Sequence, residues 1–404
     1  MWVGFCSIVI FLTVPIAFTI QKFISENLGK DAFIYFVLLA VGLTFLSLLY
    51  FLIFKLKVRS LSNYIWLFVL AGLYSYFILK WLKAPAEAIH FLEYGLLGFF
   101  LFRALKYNIK DKSIYFTATL FCLLVGTFDE ILQWITPRRI WSFRDVWLNT
   151  LSGGLFQIAL WTVVKPKIIS EKITVKSIRI FSSILTVCLI VLGLCASNTP
   201  KQVAFYAKLM PWLSSLQKEE SMSEFGYNYR DSEIGIFYSR LSLKNIRNID
   251  KMKSEQNSQI LNKYRNIKYE QFLREYNPIS NPFLHELRAH VFRRDTYYKK
   301  AKTDTKIKDK RELYFITYKE NLILEKYFGN TIKKSVYVWD DNKIKEAEQF
   351  INKNQPYESP VSANLFTSFS KKSMWIVIFV IISVLISINL IFYLKEKQRK
   401  KINL

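Results

Sequence analysis

Residues 128–149 read FDEILQWITPRRIWSFRDVWLN. Two adjacent acids, Asp129 and Glu130, stand directly after a long apolar run, and a Pro-Arg-Arg segment follows before Asp145. A charged side chain at the centre of a membrane helix costs roughly 2.5–3.5 kcal/mol on insertion scales, and such residues are usually paired, inward-facing and functional. The stretch therefore predicts a helix bundle in a membrane, with a polar site near one end of its helices.

Apolar runs recur along the rest of the chain. Of its 404 residues, 52% are hydrophobic, and the mean hydropathy is +0.17. A helix needs about 20 apolar residues to cross a bilayer. Eight segments reach or approach this length: residues 1–20, 32–54, 63–79, 86–103, 113–135, 145–164, 178–196 and 374–394. We therefore predict an all-α polytopic membrane helix bundle of about eight transmembrane helices.

A polar domain interrupts this pattern before the last helix. Between residues 197 and 373 the hydropathy falls, and the stretch is long enough for one globular domain. RELYFITYKENLILEKYF predicts a β-hairpin that turns at residues 319–321, and SVYVW predicts a further strand. DDNKIKEAEQFINKN predicts a helix capped by Asp340 or Asp341. The domain is therefore expected to be α+β.

The predicted organisation is thus a series of membrane segments with one insertion. Residues 1–84 are the N-terminal transmembrane helices, 85–164 a core of three helices with the polar site, and 165–196 the seventh helix. Residues 197–373 are the inserted domain, 374–394 the last helix and 395–404 a basic tail. No Lys or Arg precedes the first segment, so we expect a retained helix rather than a cleaved signal peptide.

Positive charge in the short loops predicts the orientation. With the N-terminus in the cytoplasm, the cytoplasmic loops and tail contain about 17 Lys and Arg residues, against about 7 on the other side. This places residues 197–373 outside the cytoplasm and both termini inside. The net charge of +25 then partly reflects cytoplasmic loops near anionic lipids. No nucleic-acid motif is present, and we expect no nucleic-acid partner.

Three consecutive membrane segments have polar faces. His90 lies three residues before Glu93 and four before Tyr94, so the three share one helical face. Asp129 and Gln133 have the i, i+4 spacing, with Glu130 beside them, and Asp145 and Asn149 repeat that spacing. Because successive segments alternate in direction, these groups converge on one side of the membrane, with Asp129 about 10 Å below Thr136 at helical rise. Three loop arginines are candidate partners for the acids: Arg138, Arg139 and Arg144.

Each of these patterns also has a structural interpretation. Ser142 and Asp145 fit a capping box, for which a helix start alone is a sufficient explanation. Gln133 and Asn149 can hydrogen-bond between helices without a ligand. His90 alone would more often be a buried, hydrogen-bonded histidine than a ligand or a base. Taken as a group, these side chains favour a site.

The order of these residues resembles the VanZ-like membrane protein family. The pattern consists of His90-x-x-Glu93-Tyr94, Asp129-Glu130-x-x-Gln133, Pro137-x-Arg139, Ser142-x-x-Asp145-x-x-x-Asn149 and Gly153-Gly154, within residues 85–164. FGYNYRDSEIGIFYSRLSL and NPFLHELRAHVFRRDTYYKKA are similar to the outward domain of a longer subgroup. The family name comes from a protein implicated in low-level resistance to teicoplanin. The resemblance implies a multi-pass protein of the bacterial cytoplasmic membrane but names no reaction.

Three functions remain open. A binding protein would hold a membrane lipid or lipid-linked envelope precursor at Tyr94, Gln133, Arg138, Arg139, Ser142, Asp145 and Asn149. An enzyme acting on such a precursor would use His90, Glu93, Asp129 and Glu130 as acid–base candidates, with an arginine on phosphate. A scaffold or sensor would engage an envelope protein through residues 197–373. Transport is less favoured, because the polar groups gather at one end of the helices.

Cofactors and metals are not specified by the residues. All four cysteines, Cys6, Cys122, Cys188 and Cys195, lie in apolar segments, which excludes a disulfide framework in the inserted domain. His285 and His290 are five residues apart and do not share a helical face, which disfavours a two-histidine metal site. Three nearby arginines either hold an anionic headgroup or phosphate or form a solvated basic face: Arg288, Arg293 and Arg294.

Overall fold

The chain folds into two compact units. The computed structural model describes residues 2–29, 32–81, 87–136, 139, 141–210, 221–304, 307–349 and 355–402. Within these ranges it leaves out the side chains of residues 14–22, 24–25, 33–34, 37, 81, 87–90, 307–308, 395–397 and 399–402. The membrane unit comprises Met1–Cys195 and Trp375–Leu404, and the inserted unit comprises Ala196–Met374. The structure is mostly helical (74%).

Long apolar helices build the membrane unit. In chain order they are α1 (Trp2–Leu28), α2 (Ala32–Tyr50), α3 (Leu61–Trp81), α4 (Glu87–Leu105), α5 (Ser113–Ile135), α6 (Phe143–Ala159), α7 (Val175–Ser197) and, after the inserted unit, a C-terminal helix, Lys371–Ile402. One π-helical turn, Phe51–Lys55, continues α2, and a second, Leu160–Val164, continues α6. In hydrocarbon a backbone must satisfy its own hydrogen bonds, which explains why the apolar runs are helical.

The predicted number of membrane-spanning helices is not supported by the described part of the chain. In the described chain, five helices are long and apolar enough to cross a membrane: Leu38–Lys55, Leu61–Lys80, Ser113–Ile135, Val175–Ser197 and Lys371–Leu394. The described residues of all eight predicted segments lie on helices, but α6 has only 17 residues and contains Arg144 and Asp145 in its first turn. The figure of about eight spans is therefore not supported, whereas the membrane helix bundle is.

A buried aspartate joins the starts of α5 and α7. Asp111 is fully buried; its Oδ1 accepts from the N–H and hydroxyl of Ser113, and its Oδ2 accepts from Thr174 and from Ser177 Oγ at 2.6 Å. Burial raises the pKa of Asp111, but the hydrogen bonds from Ser113, Ser177 and Thr174 outweigh it and leave the pKa below its ordinary value. Asp111 therefore holds the starts of α5 and α7 together, at the end of α5 that is far from Asp129.

The inserted unit is helical with one small hairpin. Its elements are α8 (Pro200–Leu209), β1 (Tyr227–Asp231), β2 (Gly235–Ser239), α9 (Leu243–Met252), α10 (Ser254–Lys263), α11 (Tyr269–Glu275), α12 (Pro282–Thr303), α13 (Ile307–Tyr327), α14 (Gly329–Lys333) and α15 (Asp341–Glu348). The last membrane helix, Lys371–Ile402, is α16 in this order. Strands β1 and β2 are antiparallel, with Tyr227 opposite Ser239. Helices α12 and α13 pack side by side over a core that includes Phe237, Leu287 and Leu324.

Two strand predictions for this unit are wrong. RELYFITYKENLILEKYF lies in α13 and the residue that follows it, and SVYVW forms turns rather than a strand. The predicted turn at residues 319–321 is instead a buried part of α13, because Lys319, Glu320 and Asn321 find polar partners inside the unit. The predicted α15 is confirmed, since Asp340 caps it by accepting from Lys343 N at 2.9 Å.

Candidate functional site

Helix α4 lies at the centre of the membrane unit and separates two clusters of apolar side chains. On one face, Phe91 packs with Leu70 of α3 and Leu155 of α6. On another face, Tyr94 and Leu97 pack with α1 and α5. The polar residues of the sequence motif therefore project from a helix whose position is fixed on several sides.

Glycines bring α4, α5 and α6 into close contact. A Cβ on Gly153 of α6 would lie 2.4 Å from Cys122 Sγ of α5, and a Cβ on Gly98 of α4 would lie 3.2 Å from the carbonyl oxygen of Gly153. A Cβ on Gly126 of α5 would lie 3.0 Å from Asn149 Cβ. Small residues at such contacts let membrane helices approach closely. This contact positions the polar side chains of the three helices against one another.

A chain of hydrogen bonds links the polar residues of α4 and α5. Asp129 and Glu130 are buried, and Gln133 Nε2 donates to Glu130 Oε1 at 2.7 Å and to Asp129 Oδ2 at 3.4 Å. The hydroxyl of Tyr94 donates to Asp129 Oδ2 at 3.4 Å. Arg139 donates to Gln133 Oε1. The Gln133 amide thus connects both carboxylates to a guanidinium group. These five residues are called the acidic cluster below.

The acidic cluster also fixes the start of α6. Ser142 caps this helix, with its Oγ accepting from Asp145 N at 3.2 Å, as the capping-box interpretation requires. In a complete box the side chain of Asp145 would accept from Ser142 N. Here Glu130 Oε2 accepts from that N–H at 3.1 Å, and Asp145 Oδ1 pairs with Arg144. Glu130 therefore accepts the hydrogen bond from Ser142 N that the capping box predicts for Asp145.

Two buried donors, one on α6 and one in the loop before it, have no acceptor among the described residues. They are Asn149 Nδ2 and the indole N–H of Trp141. Asn149 adjoins the cluster, because a Cβ on Gly126 would lie 3.0 Å from Asn149 Cβ and 3.5 Å from Tyr94 Cε1. Buried donors normally have partners, so both call for an acceptor oxygen. Trp141 was missed by the sequence reasoning, although its position next to Ser142 was a usable signal.

The other predicted site residues are Glu93, Asp145, Arg138 and His90. Glu93 is half-buried on α4, and the carboxylate of Asp145 pairs with Arg144. Arg138 and the side chain of His90 lie outside the described part of the chain. Within that part, no group of three or more His, Cys, Asp or Glu side chains is arranged to hold a metal ion.

An apolar cavity of about 340 Å³ lies on the other side of α4. Helices α2, α3, α4 and α6 line it, with Phe45, Leu70, Tyr74, Phe91 and Gly95 among the wall residues. Its walls do not include any residue of the acidic cluster. The hydroxyl of Tyr74 donates to the backbone oxygen of Ser152 at 2.6 Å, which leaves the cavity without a free polar group at that point. The cavity suits a hydrocarbon chain rather than a reacting group.

The arginines of α12 in the inserted unit do not form a solvated basic face. Arg294 is 1% exposed and donates to Asn321 Oδ1 at 3.0 Å and to the carbonyl oxygen of Tyr337 at 2.8 Å. Arg293 pairs with the buried Glu320 at 3.1 Å. Arg288 is 8% exposed and lies among aromatic rings. Two of the three arginines therefore have structural partners.

Acid is expected to destabilise the inserted unit through His285. Burial and then the charge of Arg240 lower the pKa of His285 from 6.5 to about 4. Below pH 6.5 the unfolded chain binds a proton that the folded unit excludes down to about pH 4, so stability falls across this window. The loss is at most roughly 3 kcal/mol. Hydrogen exchange of α12 peptides at pH 7 and pH 5, corrected for intrinsic rates, measures it.

His285→Gln is the matched variant, because glutamine is polar but does not titrate. We expect its peptides to show a smaller loss of protection between pH 7 and pH 5 than those of the wild type. An equal loss in both proteins would show that another group causes the acid sensitivity.

Comparison with known proteins places the acidic cluster in a family segment. Residues 5–165 match the VanZ/LLP1 family model. The match contains α4, α5 and α6, and it also covers the helices before residue 85, which lie outside the sequence motif of residues 85–164. No curated protein and no solved structure matches the chain. Residues 196–374 lie outside the family match.

Proposed function

We propose, from the premise that residues 5–165 form a VanZ-like membrane region, that the acidic cluster binds a membrane ligand. The ligand is the polar end of a membrane lipid or of a lipid-linked precursor of the bacterial cell envelope. The observation that carries this proposal is the buried Asn149 donor without an acceptor, next to two buried carboxylates and one arginine. The buried indole N–H of Trp141, the residue before Ser142, is a second such donor. Helix packing alone would not require donors without acceptors at this position.

The chemistry of the cluster defines the headgroup. Asp129 and Glu130 accept hydrogen bonds and repel anions, so they suit hydroxyl or amino groups. Asn149, Trp141 and Arg139 donate hydrogen bonds, so they suit phosphate, ester or carbonyl oxygens. A headgroup that combines hydroxyl or amino donors with such oxygens matches both sets. Glycerol, amino and sugar headgroups joined through phosphate have this combination.

The surroundings of the cluster support a lipid as the carrier of this headgroup. The acidic cluster lies on α4, on α5 and in the loop after α5, and α5 is long and apolar enough to cross a membrane. A lipid that reaches the buried residues of the acidic cluster from the bilayer keeps its hydrocarbon chain among apolar helices. With the orientation predicted from the loop charges, the site faces the extracytoplasmic side, where envelope precursors are assembled. Altered susceptibility to teicoplanin is then an expected consequence of changing the pool of such a ligand.

A catalytic function is the second candidate. It is favoured by Asp129, which lies at hydrogen-bond distance from the Tyr94 hydroxyl and the Gln133 amide and is buried. A carboxyl group placed in this way can transfer a proton to or from a bound headgroup. Incubation of the purified protein with its own bound lipid distinguishes the two functions, since only an enzyme yields a lipid product that Asp129→Asn does not yield.

Native mass spectrometry of the full chain in detergent tests the binding proposal. We expect the wild type to retain a defined lipid. The variants Asp129→Asn and Asn149→Leu are expected to retain roughly tenfold less of it, the usual effect of losing a hydrogen bond in a charged site. Arg139→Ala is expected to do the same. Lipids released from each protein are identified by fragmentation.

Asp111→Asn is the matched control. Asp111 is a buried, hydrogen-bonded aspartate of the same unit at the opposite end of α5, so its replacement has the same chemistry without touching the cluster. It is expected to retain the lipid. If the wild type carries no defined lipid, or if all four variants retain it equally, the acidic cluster is a structural contact that holds α4, α5 and α6 together.

A further inference from the structure

Arg288 of the inserted unit lies in a cage of three aromatic rings. Its guanidinium carbon is 4.9 Å from the ring centre of Tyr337, 5.6 Å from that of Tyr269 and 5.9 Å from that of Phe272. Phe272 belongs to the buried core, and Tyr269 stacks on Phe292 with ring centres 3.9 Å apart. The rings are therefore held in place by the fold and not only by the arginine.

The guanidinium group has no anionic partner among the residues that the structure describes. Arg288 is 8% exposed, and its buried Nε has no hydrogen-bond acceptor. The neighbouring arginines of α12 provide the comparison, because Arg293 pairs with Glu320 and Arg294 pairs with Asp295. A buried charge is costly unless it is paired, and aromatic faces replace only part of the lost hydration.

A second buried donor lies beside this arginine. The hydroxyl of Tyr337 is buried and has no hydrogen-bond partner in the described chain. Its ring is the closest of the three to the guanidinium carbon of Arg288. A guanidinium group and a phenol hydroxyl are both donors, and together they fit the oxygens of a carboxylate or a phosphate.

We propose that Arg288 and Tyr337 form a binding site for a small oxyanion, either a carboxylate or a phosphate group. The aromatic rings orient the guanidinium group, which supplies the charge and paired donors, and Tyr337 supplies one further donor. The site belongs to the inserted unit and does not depend on the proposed function of the acidic cluster. A free anion and the phosphate of a lipid headgroup share this chemistry.

Thermal unfolding of the full chain in detergent tests the site with three probes at one ionic strength. Sodium phosphate, sodium acetate and dihexanoyl phosphatidylglycerol are each titrated against a chloride reference, and hydrogen exchange of α12 peptides assigns the stabilisation to the inserted unit. We expect at least one probe to bind the wild type with saturation. Arg288→Gln is expected to weaken this binding roughly 10-fold to 100-fold, and Tyr337→Phe roughly 2-fold to 10-fold.

Two further variants keep the test decisive. Arg274→Gln removes an exposed arginine of α11 and is expected to bind as the wild type does. Arg288→Lys preserves the charge if Arg288→Gln does not fold, and it should bind more weakly because it lacks the paired donors. Binding by the short lipid but not by free phosphate identifies a headgroup site. The proposal is overturned if no probe protects α12, or if the Arg288 and Tyr337 variants respond as Arg274→Gln does.

Discussion

Replacing Glu320 with glutamine is expected to lower the free energy of unfolding of the inserted unit by roughly 3–5 kcal/mol, the usual result of removing one member of a buried ion pair. Glu320 is fully buried and accepts from His290 Nδ1 at 2.6 Å, from Tyr357 at 2.6 Å and from Ser359 at 2.8 Å, and it pairs with Arg293. Burial raises the pKa of Glu320, but its partners, His290 first, outweigh this effect and lower it. Glutamine leaves these groups without their charge partner.

Hydrogen exchange of peptides from α12 and α13 measures this effect in the full chain. Glu312→Gln is the control, because Glu312 is an exposed residue of α13, the helix that contains Glu320. Substitutions of exposed residues usually change the free energy of unfolding by less than about 0.5 kcal/mol. Equal protection in Glu320→Gln and Glu312→Gln would show that the buried network is not required for stability. The pKa of Glu320 is lower in the folded unit than in the unfolded chain. The carboxylate therefore stabilises the unit at neutral pH, and this stabilisation is expected to be lost as the pH falls from the ordinary glutamate pKa through the folded-state pKa.

The second large effect is expected at Gly153. An alanine Cβ there would lie 2.4 Å from Cys122 Sγ and 2.8 Å from Cys122 Cβ, so α5 and α6 must separate. Overpacking of this kind costs roughly 1–3 kcal/mol. Asn149 is one helical turn before Gly153 and would move away from Gly126. We therefore expect Gly153→Ala to lower both the thermal stability of the membrane unit and its retention of lipid.

Gly154→Ala is the matched control for Gly153→Ala. A Cβ on Gly154 would lie 3.3 Å from the side-chain methyl group of Thr119, which requires a much smaller adjustment. Thermal unfolding in detergent and native mass spectrometry are measured for both variants. Adding Cys122→Ala should partly restore Gly153→Ala, because it removes the Sγ. Equal behaviour of the two glycine variants would mean that the close contact of α5 and α6 is not needed.

The membrane unit was predictable because its apolar runs permit one backbone solution. A run of about 20 apolar residues in hydrocarbon must be helical. The inserted unit was less predictable, since charged residues at 319–321 resemble a solvent-exposed turn. In the fold Lys319 donates to the backbone of Glu233, and Asn321 accepts from Arg294. Tertiary partners, which a single sequence does not display, reverse the local preference.

The acidic cluster was predictable in part. Helical spacing brings Tyr94, Asp129 and Gln133 to faces that meet in the structure. Helical spacing does not determine the hydrogen-bond partner of a side chain where a loop folds back onto a helix. Glu130 therefore accepts from the Ser142 N–H in place of Asp145, and Trp141, the residue before Ser142, is buried. Whether these residues bind a ligand remains a prediction for the variants described above.

The glycine contacts also distinguish the tightly packed helices of the membrane unit from the more loosely packed ones. Backbone-close packing at Gly98, Gly126 and Gly153 holds α4, α5 and α6 tightly against one another. In the described chain α3 meets α4 less tightly, since a Cβ on Gly95 would lie 3.4 Å from the Tyr74 hydroxyl. Only 6% and 22% of the apolar windows of α2 and α3 are buried, against 50% for α5. Because α2 and α3 form one wall of the apolar cavity, a shear motion of this pair would open or close the cavity without displacing the carboxylates of the acidic cluster.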